Sequence, residues 1–350
     1  MSVGTMPAVV HWGAQPGEVE LREMPRPVPQ EGEVLLRVAA VGVCGTDVHL
    51  YTHGASASAS LPVVLGHEFC GVIEAVGPWV RGWREGDRVV SETAAYVCGE
   101  CAYCRSGRYN VCPRRRGFGF GADGAMATHV RVPVRCLHSL PGELSFEVAA
   151  LTEPCCVAYN ALVERSKIRP GDSVLILGPG PIGLLCLLVA QLMGAGETIV
   201  VGLASDGPRL AVARELGAGC VLDAGSQDAA EFVRTLGDGH GVDVVVDASG
   251  ASAAFTTAME VVRPGGRITK VGWGRAPLGE SLDPLVRKAV TVNGSFSHTY
   301  ETWERVVALL ASGKLEAARL TGYTGPLEKW LDGFERMHRG EVVKSLLLAP

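Results

Sequence analysis

The stretch Ser173-Val174-Leu175-Ile176-Leu177-Gly178-Pro179-Gly180-Pro181-Ile182-Gly183 decides how the chain is read. An apolar run with strand character leads directly into glycines at G-x-G-x-x-G spacing, and residues 184–193 continue as an apolar helix. A strand that turns into a helix this way aims the helix's first unpaired N–H groups at a phosphate. The first glycine permits the turn, the second lets the backbone approach a pyrophosphate, and the third lets helix and strand pack closely. Gly178, Gly180, Pro181, Ile182 and Gly183 are therefore candidate cofactor-binding residues. Outward from this turn, 198–201, 242–247 and 267–271 read as further strands, with helical segments at 209–216 and 251–262 between them. Strands alternating with helices predict an α/β fold with a doubly wound parallel sheet.

With 350 residues the chain is too long for one small core and is expected to form two domains. A formal charge of −5 argues against nucleic acid as a partner, and no Lys/Arg block marks a membrane surface. Arg114-Arg115-Arg116 is expected to be a solvated loop. The longest apolar stretch is too short to span a bilayer. The N-terminus lacks a charged-then-apolar leader pattern, so a cytoplasmic location is expected. The 55–60 patch of alternating Ala and Ser reads as a flexible loop.

The first half is richer in short apolar runs: 34–42, 71–77 and 86–90, punctuated by glycine, predict a compact β-rich unit. Eleven cysteines are many for a reducing compartment. Four of them, Cys98, Cys101, Cys104 and Cys112, stand at C-x2-C-x2-C-x7-C spacing, which suits a closed tetrahedral zinc site with no position left for substrate. Two disulfides or reduced thiols are the competing readings. Cys44 and His67, each beside a glycine, are candidate ligands for a second zinc of the open, catalytic kind. Asp47 is expected to accept a hydrogen bond from the far nitrogen of His67, which would set its tautomer.

Gly66-His67-Glu68-Phe69-Cys70-Gly71, followed by Gly77 and Val80, resembles the zinc signature of the medium-chain alcohol dehydrogenases, and the resemblance extends over nearly the whole chain. It implies a GroES-like catalytic domain at 1–156 and 294–350 and a Rossmann domain at 157–293. The active site is then expected in the cleft between them. The four clustered cysteines match the family's structural-zinc lobe one for one. Glu153-Pro154 matches the polyol subgroup, where classical members carry Cys. That subgroup implies Cys44, His67 and Glu68 as catalytic zinc ligands, with Glu153 binding directly or through a water. Cys155 and Cys156 are expected to be core thiols. The resemblance also implies a proton relay through Thr46 and His49, and a nicotinamide pocket lined by Ser249, Val271, Gly272 and Phe296.

The residue ending the second strand of the nucleotide fold decides between NAD and NADP. An acid there hydrogen-bonds the ribose of NAD, and this chain has Gly202. A small residue leaves room for a 2′-phosphate, with Ser205 or Arg209 to contact it, whereas Asp206 offers an acid from the following loop. The balance leans slightly to NADP. The expected reaction is reversible oxidation of a secondary alcohol, a polyol, sugar alcohol or cyclitol, to the ketone. The runner-up is L-threonine oxidation, and a non-catalytic zinc- and nucleotide-binding protein is the alternative of another class. Tyr51, Phe118 and Thr152 are candidate substrate contacts. A homodimer or homotetramer is expected.

Overall fold

The computed structural model describes residues 4–55, 60–274 and 276–350. Most of the Ala/Ser patch read as a flexible loop, residues 56–59, lies outside them. The chain forms two compact units: Met1–Glu153 with His298–Gly313 and Thr321–Pro350, and Pro154–Ser297 with Lys314–Leu320. The sequence reading has its junctions at 156 and 293, and it has no signal that 314–320 returns to the second unit.

The first unit is organised around the strand Glu33–Gly42, buried over most of its length but exposed at Arg37. It pairs antiparallel with Glu68–Val76, Lys344–Leu348 and His129–Pro133. Arg88–Ser91 and Leu137–Ser139 extend the sheet beyond Glu68–Val76, and Thr321–Pro326 closes the other side beside Lys344–Leu348. Strands covered on both faces read as continuous apolar runs rather than alternating ones, which is how Val34 to Val43 reads. The core joins Leu36, Phe69, Ile73, Phe118, Met126 and Phe334, all nearly solvent-free. A separate sheet of Val19–Pro25, Thr5–His11 and Val63–Val64 packs its own small cluster. The helix Tyr300–Ala311 buries Trp303, Val306, Val307 and Leu310, the positions that share one face at 3.6-residue periodicity.

In the second unit six strands lie in the order Cys220–Asp223, Glu197–Gly202, Ser173–Leu177, Val242–Asp247, Val262–Lys270, Thr291–Gly294. Every adjacent pair is parallel. The order reverses direction at Ser173–Leu177, and such a switch point is where open α/β sheets bind ligands. The glycine turn and the helix Pro181–Leu192 leave from that strand. A β-carbon on Gly183 would lie 1.9 Å from the Gly178 carbonyl oxygen, so no larger residue permits this approach of helix to strand. Two features lacked a sequence signal: the short strand Cys220–Asp223, and the π-helical turn Asn160–Arg165 that continues Thr152–Tyr159. Among the described residues no helix is long and apolar enough to cross a membrane.

Candidate functional site

The strand Glu33–Gly42 delivers the chain to Cys44, which begins the helix Gly45–His53. Asp47 Oδ2 accepts a hydrogen bond from the Cys44 backbone N–H at 2.9 Å and so caps that helix from its third position. Gly66, at φ +93°, makes the turn into Glu68–Val76; a β-carbon there would meet Met126 Cγ at 2.7 Å. This turn brings His67 and Glu68, both buried, to Cys44. One ligand atom from each of Cys44, His67 and Glu68 lies within 4.8 Å of the others. Glu68 pairs in register with Gly42, and a β-carbon on Gly42 would sit 2.1 Å from Glu68 Oε2. The bare glycine is the space the carboxylate occupies.

The electrostatics of this cluster ask for a cation. Burial alone would lower the His67 pKa, but Cys44, Asp47 and Glu153 raise it to about 10. A field that holds a proton on a buried imidazole also favours a dication, and thiolate, imidazole and carboxylate are the donors zinc prefers. The donor set therefore fits zinc. Lys344, 2% exposed, lies on the other side of Glu68. Its Nζ donates to the Val43 carbonyl oxygen at 2.8 Å and pairs with Glu68 Oε2. Burial works against the ammonium, but Glu68 and Cys44 outweigh it and hold the Lys344 pKa above its ordinary value. The expected hydrogen bond between Asp47 and His67 is not formed. Asp47 Oδ1 lies 3.8 Å from His67 Nδ1, an ion-pair distance too long for a hydrogen bond.

Glu153 enters from the start of the helix Thr152–Tyr159 and is buried. Its Oε1 lies 3.2 Å from Nε2 of His298, whose Nδ1 lies 2.6 Å from Nε1 of Trp303. Burial pushes the Glu153 carboxyl up, but the His298 hydrogen bond, with His67 and Lys344 nearby, holds it below its ordinary range. Thr46 is exposed, its hydroxyl 3.5 Å from the Cys44 sulfur. His49 is half-buried and its ring stacks on His53 at 4.3 Å.

The second cluster is the cysteine lobe, with the four sulfurs of Cys98, Cys101, Cys104 and Cys112 within 4.8 Å of one another. The Cys101 and Cys104 backbone N–H groups donate to the sulfurs of Cys98 and Cys101, each at 3.4 Å. The Cys101 and Glu100 amides help hold the Cys98 thiol down to about 6. Four convergent thiols with backbone donors fit a closed zinc site. The arginine run beside the lobe is only partly solvated: Arg114 and Arg116 are exposed, while Arg115 turns in to donate to Thr93 Oγ1 at 2.8 Å.

In the second unit the strand ends converge on the glycine turn. A β-carbon on Gly178, itself at φ +98°, would meet Ser249 at 3.0 Å, and one on Gly272 would meet the Gly250 nitrogen at 2.4 Å. Asp247 organises this edge. It accepts from the Ser249 and Gly250 backbone N–H groups, each at 3.0 Å, and pairs with Lys270 Nζ at 2.6 Å. Val271 N–H donates to the Asp247 carbonyl, and Phe296 lies edge-on to the exposed Trp273. Gly180 has open space where a side chain would be, as close approach of a phosphate requires. At Gly202 the sequence expectation is corrected. The position is not roomy, because a β-carbon there would meet Pro179 Cγ at 2.8 Å and Leu210 at 3.0 Å. Asp206 turns back to accept from the Leu203 N–H and lies 3.6 Å from Arg209, while Ser205 is exposed.

Two of the three candidate substrate contacts are spoken for by packing. Phe118 is 2% exposed and packs edge-on against Phe69 in the core, so its expected role is corrected. Thr152 is fully buried and donates its hydroxyl to the Ala149 carbonyl at 2.7 Å. Tyr51 is half-buried against Trp330 and Phe334. Phe120, absent from the sequence reading, lies with its ring 5.2 Å from that of His67.

Comparison with known proteins gives the family. Residues 30–142 match the alcohol dehydrogenase GroES-like domain, and residues 181–312 match the zinc-binding dehydrogenase domain. The chain belongs to the zinc-dependent alcohol dehydrogenase family. It is 37% identical to a sorbitol dehydrogenase of Halalkalibacterium halodurans, over 98% of this chain and 99% of that one. It is 36% identical to a D-arabitol-phosphate dehydrogenase of Enterococcus avium, over 95% of each. The solved structure of the alcohol dehydrogenase TADH from Thermus sp. ATN1 superposes with a TM-score of 0.90 at 36% identity, covering 99% of this chain and 100% of that one. As a zinc-dependent alcohol dehydrogenase the chain is an oxidoreductase that uses zinc and a nicotinamide dinucleotide on small-molecule alcohols. Within this alcohol dehydrogenase, sequence reasoning missed Lys344, His298 and Gly42. Only Lys344 carried a visible signal, a lone cation in the apolar run Val342-Val343-Lys344-Ser345-Leu346-Leu347-Leu348.

Proposed function

We propose that this dehydrogenase oxidises a secondary alcohol of the polyol, sugar-alcohol or cyclitol class to the ketone, with Cys44, His67 and Glu68 holding the catalytic zinc and Glu153 completing the set directly or through a water. The observation that carries the reading is the carboxylate character of the site. The buried Glu68 stands with one thiol and one imidazole, and a second buried glutamate, Glu153, acts on Glu68 and His67 electrostatically from close by. Such an oxygen-rich donor set suits a substrate with neighbouring hydroxyls, and the sorbitol and arabitol-phosphate dehydrogenases among its relatives support it. The lobe of Cys98, Cys101, Cys104 and Cys112 is proposed to hold the structural zinc.

Zinc, when bound, supplies Lewis-acid polarisation of the substrate oxygen. A bound nicotinamide would supply the hydride acceptor for the carbinol carbon. The chain's own residues handle the proton. The Thr46 hydroxyl accepts the alcohol proton as it releases its own toward His49, which passes a proton to solvent. Phe120 covers one side of His67 with apolar surface. Gly178, Gly180, Pro181, Ile182 and Gly183 hold the pyrophosphate, and Ser249, Val271, Gly272 and Phe296 line the nicotinamide. For the adenosine end we favour NADP, with Ser205 and Arg209 reaching the 2′-phosphate. The lack of an acidic side chain at Gly202 and the engagement of Asp206 by Leu203 N–H support this, since neither offers a free acid to a ribose. A homodimer or homotetramer is proposed for the assembly, and the cytoplasm for its location.

The test is a panel of initial rates: NAD+ and NADP+ crossed with polyols, cyclitols, simple secondary alcohols and L-threonine. Turnover of polyols or cyclitols supports the reading, and the better cofactor decides the adenosine end. Turnover of L-threonine alone overturns the substrate class in favour of amino-alcohol oxidation.

A further inference from the structure

Behind Glu153 lies a run of buried polar groups with no part in the mechanism above. Trp303 is fully buried, and its indole N–H can only donate. It lies 2.6 Å from His298 Nδ1, so that nitrogen accepts and the neutral imidazole carries its proton on Nε2. Nε2 is the atom that faces Glu153 Oε1 at 3.2 Å. The tautomer of His298 is thus set by Trp303, in the sense that makes His298 a donor to the carboxylate. Trp303 is itself anchored. Its ring stacks on His138 at 5.5 Å and an interplanar angle of 11°. His138 lies 2.5 Å from Glu304 through Nδ1 and 3.3 Å from Glu92 through Nε2. Glu92 also accepts from the Tyr109 hydroxyl at 2.7 Å, and Tyr109 begins the helical turn that leads to Cys112. A continuous chain of contacts therefore runs from the edge of the cysteine lobe to Glu153.

We propose that His298, locked by Trp303, is the positioning residue that commits Glu153 Oε1 to a hydrogen bond and leaves its other oxygen for the metal or a metal-bound water. The inference rests on the zinc assignment proposed above and adds a residue to it. Hydrogen bonds behind metal ligands orient them, and removing one typically lowers metal affinity about 10- to 100-fold. Glutamine at 298 can present an N–H near the place of Nε2 without needing a tautomer. Leucine cannot.

The experiment uses the full-length protein with cobalt in place of zinc and compares the original chain with His298→Leu, His298→Gln and Trp303→Phe. The readouts are metal content, the visible absorption of the cobalt at the mixed site, and the rate at which a chelator removes it. His298→Leu is expected to shift the spectrum and speed removal about 10- to 100-fold, with metal in the cysteine lobe unchanged. His298→Gln is expected to restore both, and Trp303→Phe to fall between. If His298→Leu leaves spectrum and removal rate unchanged while the mixed site still binds cobalt, or if glutamine and leucine behave alike, the positioning role is wrong and the zinc assignment stands. If the original chain binds metal only at the cysteine lobe, the zinc assignment itself fails and takes this inference with it.

Discussion

The two metal clusters of the first unit are built on opposite principles. The lobe takes all four thiols from one short segment, between Cys98 and Cys112, three of them partly exposed and steadied by backbone N–H groups of the same segment. The mixed cluster gathers Cys44, His67 and Glu68 from a helix start and a strand start. It then borrows Lys344 from near the C-terminus and Glu153 with His298 from either side of the second unit's main segment. A closed site needs only a chain that can wrap four sulfurs around an ion. A site that must keep a position open and tune its charge needs groups that no single segment supplies.

The largest expected effect tests that division of labour. Cys44→Ser should reduce turnover below detection while the protein stays folded, and metal content should fall from about two per chain to about one. Cys98→Ser should do the reverse: a lower unfolding temperature and loss of the lobe's metal, with turnover per folded molecule largely kept. Calorimetry, metal analysis and initial rates on the two variants measure all three quantities. A Cys98→Ser protein that stays fully stable yet catalytically dead would break the comparison.

A smaller effect is expected at Lys344, where the comparison is sharpened rather than broken. Lys344 and Glu68 are both buried, 2% and 1% exposed, and removing one member of such a pair leaves the other charge uncompensated. Lys344→Met should cost about 3–5 kcal/mol of stability in the metal-depleted protein. The loss should shrink when zinc is restored, because the metal then shares the Glu68 charge. Urea unfolding with and without zinc checks this. At the lobe the neighbouring cation is Arg114, which is exposed and also pairs with Glu100, so no buried charge is left behind when it is removed. An equal loss in both metal states would mean that Glu68 answers to Lys344 alone and does not contribute to the metal.

What could be read in the sequence follows the same division. The cysteine lobe and the G-x-G-x-x-G turn are local devices, and their spacing states their chemistry. The parallel sheet was legible because its strands are apolar runs separated by helices of ordinary length. Lys344 and His298 were not, because their meaning depends on strand pairing and on a helix return across more than a hundred residues, which periodicity does not encode. Phe118 shows the converse failure. An aromatic near a metal signature reads as a substrate contact until the edge-on packing against Phe69 shows it to be core, and Phe120, two residues on, lies beside His67 instead.

The smallest expected effect concerns the adenosine end, where a local motif again stops short of an answer. The sequence treats Gly202 as room for a phosphate, but the space is filled by Pro179 and Leu210. Two variants separate room from charge. Gly202→Asp is not expected to create an NAD enzyme, because a β-carbon 2.8 Å from Pro179 must displace the glycine turn that holds the pyrophosphate. Both cofactors should therefore weaken together. Arg209→Ala leaves that turn untouched and removes a guanidinium otherwise directed at Asp206, 3.6 Å away. If Arg209 meets a 2′-phosphate, the KM for NADP+ should rise about tenfold, close to 1.4 kcal/mol, with that for NAD+ little changed. An equal change for both would mean that Arg209 serves Asp206 and the loop, and that the chain selects its cofactor elsewhere along the strand ends.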